Sequence, residues 1–110
     1  MRDDGNSVIM IYITASSEEE ASSIGEALLQ EHLIACANII PGMKSIYRWE
    51  GKIVHDSEAV LILKTQRLHL EKIISRVNEF HSYTCPCILS YSAGGGNEAY
   101  MNWVLKETND

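Results

Sequence analysis

Residues 34–64 read IACANIIPGMKSIYRWEGKIVHDSEAVLILK, two long runs of alternating apolar and polar residues flanking Tyr47-Arg48-Trp49-Glu50-Gly51-Lys52. Alternation with period two places successive side chains on opposite faces of a strand. The segment therefore reads as a long hairpin whose second strand runs from Ile34 to Tyr47 and whose third runs to Lys64, with the turn over residues 48–51. Pro41-Gly42 interrupts the first arm, because proline has no ladder donor and glycine permits a bulge or sharp bend. At roughly 3.3 Å per residue, arms of about fourteen residues reach ~46 Å. A globule of this chain length has a radius of gyration of ~13 Å and is only about 34 Å across. The hairpin tip should project beyond the core, and its unpaired edges then need a partner.

Working outward, Ser7 to Thr14 is a near-continuous β-branched run, as expected for a central strand buried on both faces. A helix follows at once. Ser17 and Glu20 have capping-box spacing, residues 18–20 are acidic, and Ala21, Ile24 and Leu28 recur on one face, so a helix is expected to about His32. After the hairpin, Thr65 is the expected cap of a second helix with Leu70, Ile73, Ile74, Val77 and Phe80 at helical spacing. Cys85 to Ser92 reads as a fourth strand with Pro86 at its start or edge. Gly94-Gly95-Gly96 lacks the lysine and spacing of a phosphate loop and reads as a hinge before an Asn97 cap and a last helix carrying Tyr100, Trp103 and Val104. The order strand, helix, strand, strand, helix, strand, with an added C-terminal helix, is an α+β, ferredoxin-like split βαβ arrangement.

The 110 residues, 45% of them hydrophobic, make a single domain, 1–110, with one modest core. Nine basic against fifteen acidic side chains give a net charge of −6, which disfavours nucleic acid and anionic membranes as partners. The N-terminal Met1-Arg2-Asp3-Asp4-Gly5-Asn6 carries acids where a signal peptide needs bases, and no apolar run approaches the ~20 residues of a membrane span. A cytoplasmic location is the expectation. Three cysteines, Cys36, Cys85 and Cys87, then read as reduced thiols rather than a disulfide framework.

His32 and Cys36 would sit on different elements, so a buried structural Cys36 is favoured over a nucleophile and base pair. The aromatics Tyr47, Trp49, Tyr83, Tyr91, Tyr100 and Trp103 fit an interface or core better than a ligand pocket. RNA recognition would need paired sheet aromatics and a basic surface, and both are lacking. A phosphate-handling enzyme on this topology would want an arginine after the first strand, where the chain has Ala15-Ser16-Ser17. No enzyme is read from the sequence. The constellation with metal character is His81 followed by Cys85-Pro86-Cys87. On an extended strand residues i and i+2 face one side, so both thiols could converge, and imidazole with thiolate suits zinc or cuprous copper. Two thiols that simply pack the strand is the alternative.

Several of these residues together resemble the CutA family, the divalent-cation tolerance proteins. The resemblance runs from about Val8 to Thr108 and is carried by Thr14-Ala15, Cys36-Ala37-Asn38-Ile39-Ile40-Pro41-Gly42, the Ser45 to Lys52 hairpin, Lys64-Thr65, His81 with Tyr83 and Pro86, and Gly96-Asn97 followed by Tyr100 and Trp103. It implies a homotrimer in which the hairpin pairs with a neighbouring subunit, association with copper or other divalent cations, and a role in metal tolerance. The implied site is an inter-subunit cleft near His81, Tyr47, Trp49, Lys64, Tyr83 and Trp103. The chain departs from the family where His-Pro-Tyr-Glu-x-Pro-Glu is usual: it has His81-Ser82-Tyr83-Thr84-Cys85-Pro86-Cys87, so two carboxylates are lost, at Thr84 and Cys87, and two thiols are gained, at Cys85 and Cys87. It also has Ile13 and Phe80 where some members place a copper-linked cysteine and a second histidine. A softer ligand set of His81, Cys85 and Cys87 follows. Likeness to trimeric nitrogen-regulatory ligand binders supplies the other reading, a small-molecule sensor or signalling module.

Overall fold

The computed structural model describes residues 8–109. The expected strand start at Ser7 and the acidic segment of residues 1–6 lie outside them. The elements are β1 (Val8–Ala15), α1 (Glu18–Gln30), β2 (Cys36–Trp49), β3 (Lys52–Gln66), α2 (Leu70–Phe80), β4 (Ile88–Ser92) and α3 (Glu98–Glu107). One sheet of order β2-β3-β1-β4 holds all four strands, and its three neighbouring pairs are antiparallel. Element order and mixed α+β architecture are those the sequence predicts.

The odd residues of β1, Ile9, Ile11, Ile13 and Ala15, pair with Thr65, Leu63, Leu61 and Ala59 of β3. They pack with Ile24 and Leu28 of α1 and Ile73 and Val77 of α2 into the main core. The even face is a different environment. Its Val8 end is covered, where Val8 and Ala35 bury Val104 of α3, and Thr14 at the far end is buried, while Met10 between them stays 39% exposed. Thus β1 is central in the sheet but buried on one face in the single chain, not on both as its composition suggests.

The hairpin overhang is real. Lys52 to Glu58 pair with β2 alone, because β1 stops opposite Ala59. Seven residues at roughly 3.3 Å each carry the tip ~23 Å past the rest of the sheet. The molecule is accordingly 46 Å long and 27 by 23 Å across, with a radius of gyration of 14.7 Å. Glu50 and Gly51 turn the hairpin with φ of 51° and 79°, the two-residue left-handed geometry that matches strand twist. The register shift falls between Ile40 and Met43, at Pro41-Gly42 as expected.

Several boundaries differ from expectation, among them those of β2, which runs Cys36–Trp49 rather than Ile34 to Tyr47. Thr65 does not cap α2: it remains in β3, is buried, and its hydroxyl donates to Leu33 O at 2.6 Å. A 3-10 turn, Arg67–His69, intervenes before α2, whose N-terminus has no side-chain cap. The fourth strand begins at Ile88, so Cys85, Pro86 and Cys87 lie in the preceding loop. Cys36 is half-buried rather than buried, its Sγ pointing to Asn38 Oδ1 at 3.6 Å.

Helix α1 ends at Gln30, two residues before the expected limit. His32 sits at φ 61°, while Leu33 N donates to Leu28 O and His32 N to Leu29 O. That is a Schellman end, with a non-glycine residue at the left-handed position. Such a conformation costs an L-residue roughly 1–2 kcal/mol, partly offset by the greater unfolded freedom of glycine. His32→Gly is therefore expected to stabilise the fold by about 0.5–1 kcal/mol in urea unfolding. No gain would mean the exposed imidazole contributes there.

Candidate functional site

The site grows from three elements that the core brings together. The even face of β1 presents Tyr12 and Thr14. The distal hairpin presents Met43, Tyr47 and Trp49 from β2 and Glu58 from β3. The loop after α2 presents Tyr83, Cys85 and Cys87. Together these line an open cavity of about 560 Å³, within the range of small-ligand sites.

His81 fastens that loop. Its ring is buried, with Nε2 at 2.8 Å from Thr14 O and Nδ1 accepting Tyr83 N–H at 3.1 Å. Nε2 must donate and Nδ1 must accept, which fixes one neutral tautomer. Both ring nitrogens are thus occupied by backbone. Glu20 braces the same loop from α1. Ser17 Oγ accepts Glu20 N–H at 3.1 Å, as the capping spacing predicts. The Glu20 carboxylate instead takes Ser16 N at 2.9 Å and Ser16 Oγ at 2.8 Å on one oxygen, and Ser82 N at 2.7 Å on the other.

Burial opposes ionisation of Glu20, but the hydrogen bonds from Ser16 and Ser82 outweigh it and hold the carboxyl at about 2, against an ordinary 4.5. A depressed folded value contributes stability above pH ~4.5 that is lost as pH falls toward 2. Allowing for solvent screening, this amounts to about 1–2 kcal/mol. Glu20→Gln is expected to lose that much at pH 7 and nothing relative to wild type near pH 2, read by urea unfolding at both pH values. An equal deficit at both would show that shape rather than charge matters.

On the cavity wall, Glu58 is 9% exposed and its Oε2 accepts the Tyr83 hydroxyl at 2.8 Å. Burial, then the hydrogen bond to Glu58 and after it the Glu58 charge, push the Tyr83 phenol well above its ordinary range. Burial, and then the Glu58 charge, raise the Cys87 thiol. The Tyr47 hydroxyl donates to Asp56 Oδ2 at 3.1 Å, and Tyr47 is raised by burial and then by that bond. Cys85 is exposed and Cys87 half-buried. Among the described residues no group of three or more His, Cys, Asp or Glu side chains is arranged to hold a metal ion.

The predicted site residues therefore divide. Tyr47, Trp49, Tyr83, Cys85 and Cys87 meet at the cavity, and His81 stands behind it. Within the single chain Lys64 and Trp103 lie apart from them. Lys64 pairs with Cys36 and Met10, six residues and roughly 20 Å along β3 from Glu58. Its Nζ lies 5.9 Å over the Tyr100 ring, which packs on Trp103 at 5.6 Å. Sequence reasoning missed Tyr12, Met43 and Glu58. The available signal for Glu58 was a carboxylate set directly before the apolar run Ala59-Val60-Leu61.

The chain thus combines an α+β fold, an overlong hairpin and an acidic, aromatic, thiol-bearing cavity. Residues 9–107 match the family described as CutA1 divalent ion tolerance protein. The divalent-cation tolerance protein CutA of Thermus thermophilus is 42% identical over 90% of this chain and 96% of its own. The chloroplastic CutA protein of Arabidopsis thaliana is 38% identical over 91% of this chain but 55% of its own, so the chain spans about half of that relative. The solved Thermus thermophilus protein superposes with a TM-score of 0.90 at 41% identity, covering 93% of this chain and 99% of that one. The Oryza sativa CutA1 structure gives 0.92 at 32% identity, with 98% and 99% covered. The chain belongs to the CutA divalent-cation tolerance family.

Proposed function

We propose that the chain is a cytoplasmic homotrimer of ferredoxin-like subunits that takes up soft metal ions, copper above all, and contributes to metal tolerance by binding rather than catalysis. Metal tolerance in general follows from the family. The observation that supports a soft metal is the pair Cys85 and Cys87 on one cavity wall, where thiolates select cuprous copper or zinc over hard cations. His81 positions their loop and becomes a third ligand, as the sequence suggests, only by surrendering the Tyr83 N–H bond. The trimer is supported by the overhanging hairpin and by the open sheet face, where Ile40, Leu89 and Tyr91 each stay more than half exposed.

Anaerobic competition titration with a cuprous probe tests the metal reading. Wild type is expected to bind at least about 100-fold more tightly than Cys85→Ser/Cys87→Ser, and His81→Ala to lose about tenfold, as supporting residues of metal sites do. Because the Cys87 thiol is raised by burial and then Glu58, the metal must displace its proton, and apparent affinity should climb with pH. Equal affinity in wild type and the double variant would reduce the thiols to packing.

A further inference from the structure

We infer that the acidic cavity under the hairpin is half a site, completed when Arg48 from the hairpin of a second copy inserts against Glu58. Resting on the trimer proposed above, this names the residue that each subunit lends to its neighbour.

The overhanging hairpin has two chemically opposite faces. On one, Met43, Ser45 and Tyr47 pair with Glu58, Asp56 and Val54, and the Tyr47 hydroxyl bonds Asp56. This is the cavity face. It carries two carboxylates and no base until Lys52 at the tip. Alternation sends Lys44 and Arg48 of β2 to the opposite face, with their partners Ser57 and Ile53 and the intervening His55. All five of these side chains are exposed. That face holds two permanent cations and no carboxylate.

The acidic face is not compensated inside its own chain. Glu58 is nine-tenths buried, and among the described residues it forms no salt bridge. Its Oε2 accepts the neutral Tyr83 hydroxyl at 2.8 Å, but a buried carboxylate without a cation is costly. Arg48 of the same chain cannot supply one. It stands on the other face, five residues and roughly 17 Å along β3 from Glu58.

Charge then selects how copies meet. Like faces together would set acid on acid or base on base, which repulsion opposes. Seating the basic face of one hairpin on the acidic face of the next pairs unlike charges at every contact, and a head-to-tail contact of this kind closes into a ring when its rotation allows. Three copies give three identical sites, each joining one subunit's Glu58 to the partner's Arg48. Of the two cations, Arg48 suits the cavity better. Its cross-strand partner Ile53 is 65% exposed, so the guanidinium arrives with apolar surface for walls made of Tyr12, Met43 and Tyr83. Guanidinium is more weakly hydrated than ammonium, forks onto carboxylates and stacks on aromatic rings. Lys44 offers a strongly hydrated ammonium opposite Ser57.

A photo-crosslink and a double-mutant cycle on the full chain test the insertion, with the native cysteines in place. Benzoylphenylalanine in place of Ile53 leaves Arg48 and Glu58 intact. Ultraviolet light is expected to give a band at twice the chain mass, with peptide mapping placing the link on Tyr12, Met43 or the 82–87 loop of the second copy. In dilution series followed by light scattering, Arg48→Met and Glu58→Gln should each weaken a subunit contact about 30-fold, and the double variant no more than either, against the ~900-fold of independent sites. Lys44→Met should lose less than Arg48→Met. Trimers whose crosslinks map elsewhere, losses that multiply in the double variant, or a larger loss from Lys44→Met would overturn the insertion and leave the trimer itself standing. A wild-type monomer at micromolar concentration would remove both.

Discussion

Trp49→Ala is expected to weaken each contact between subunits by about 2 kcal/mol, roughly 30-fold, while far-ultraviolet circular dichroism stays at the wild-type level. Trp49 is the last residue of β2, pairs with Lys52 across the turn, and is 49% exposed. It stands on the ~23 Å of hairpin that no other strand of its own chain covers. Ile46 and Ile53 on the same overhang are 67% and 65% exposed. A tryptophan there contributes little to the subunit core but has a large area to bury against a neighbour. Dilution series followed by light scattering should show about 37 kDa for wild type, three times the 12.3 kDa chain, and dissociation at higher concentration for the variant. Lost secondary structure with unchanged dissociation would assign Trp49 to the subunit fold, and a wild-type monomer at micromolar concentration would end the trimer reading.

The features legible in the sequence were those set by neighbours along the chain. Alternation and the turn residues Glu50-Gly51 locate the hairpin, Pro41-Gly42 its bulge, and Ser17 and Asn97 cap their helices as their side chains suggest. Boundaries failed where a distant partner decided them. Thr65 has the chemistry of a helix cap, but strand pairing with Ile9 and a hydrogen bond to Leu33 O keep it in β3. Cys85 and Cys87 read as strand residues, yet proline between them offers no ladder donor and His81 holds their loop to the end of β1, 67 residues away in sequence. Local propensity carries no information about such a contact.

The site was legible in its aromatics and thiols and illegible in its electrostatics. Tyr47, Trp49 and Tyr83 stand out by type, whereas Glu58 resembles any surface acid until register places it opposite Met43 and under Tyr83. The family resemblance groups Lys64 with a cleft between subunits; within the single chain, counting along β3 places it beside α3.

His81→Ala is expected to destabilise the subunit by about 3 kcal/mol and to release the loop that carries Tyr83, Cys85 and Cys87. The substitution removes a ring that is 8% exposed, strands Thr14 O and Tyr83 N–H without partners, and opens a void beside the Tyr83 ring at 4.7 Å. Each buried backbone group left unpaired costs about 1–3 kcal/mol, reduced where water enters. His81→Gln, which can both donate and accept, should recover part of the loss. Amide hydrogen exchange gives the local readout: the Tyr83 N–H should lose protection in the alanine variant by more than global unfolding accounts for, and regain some with glutamine. A different pattern would change the role of this residue. If His81→Ala leaves stability within about 0.5 kcal/mol of wild type while cuprous binding is lost, the imidazole is a metal ligand that the bonds to Thr14 and Tyr83 merely hold in reserve.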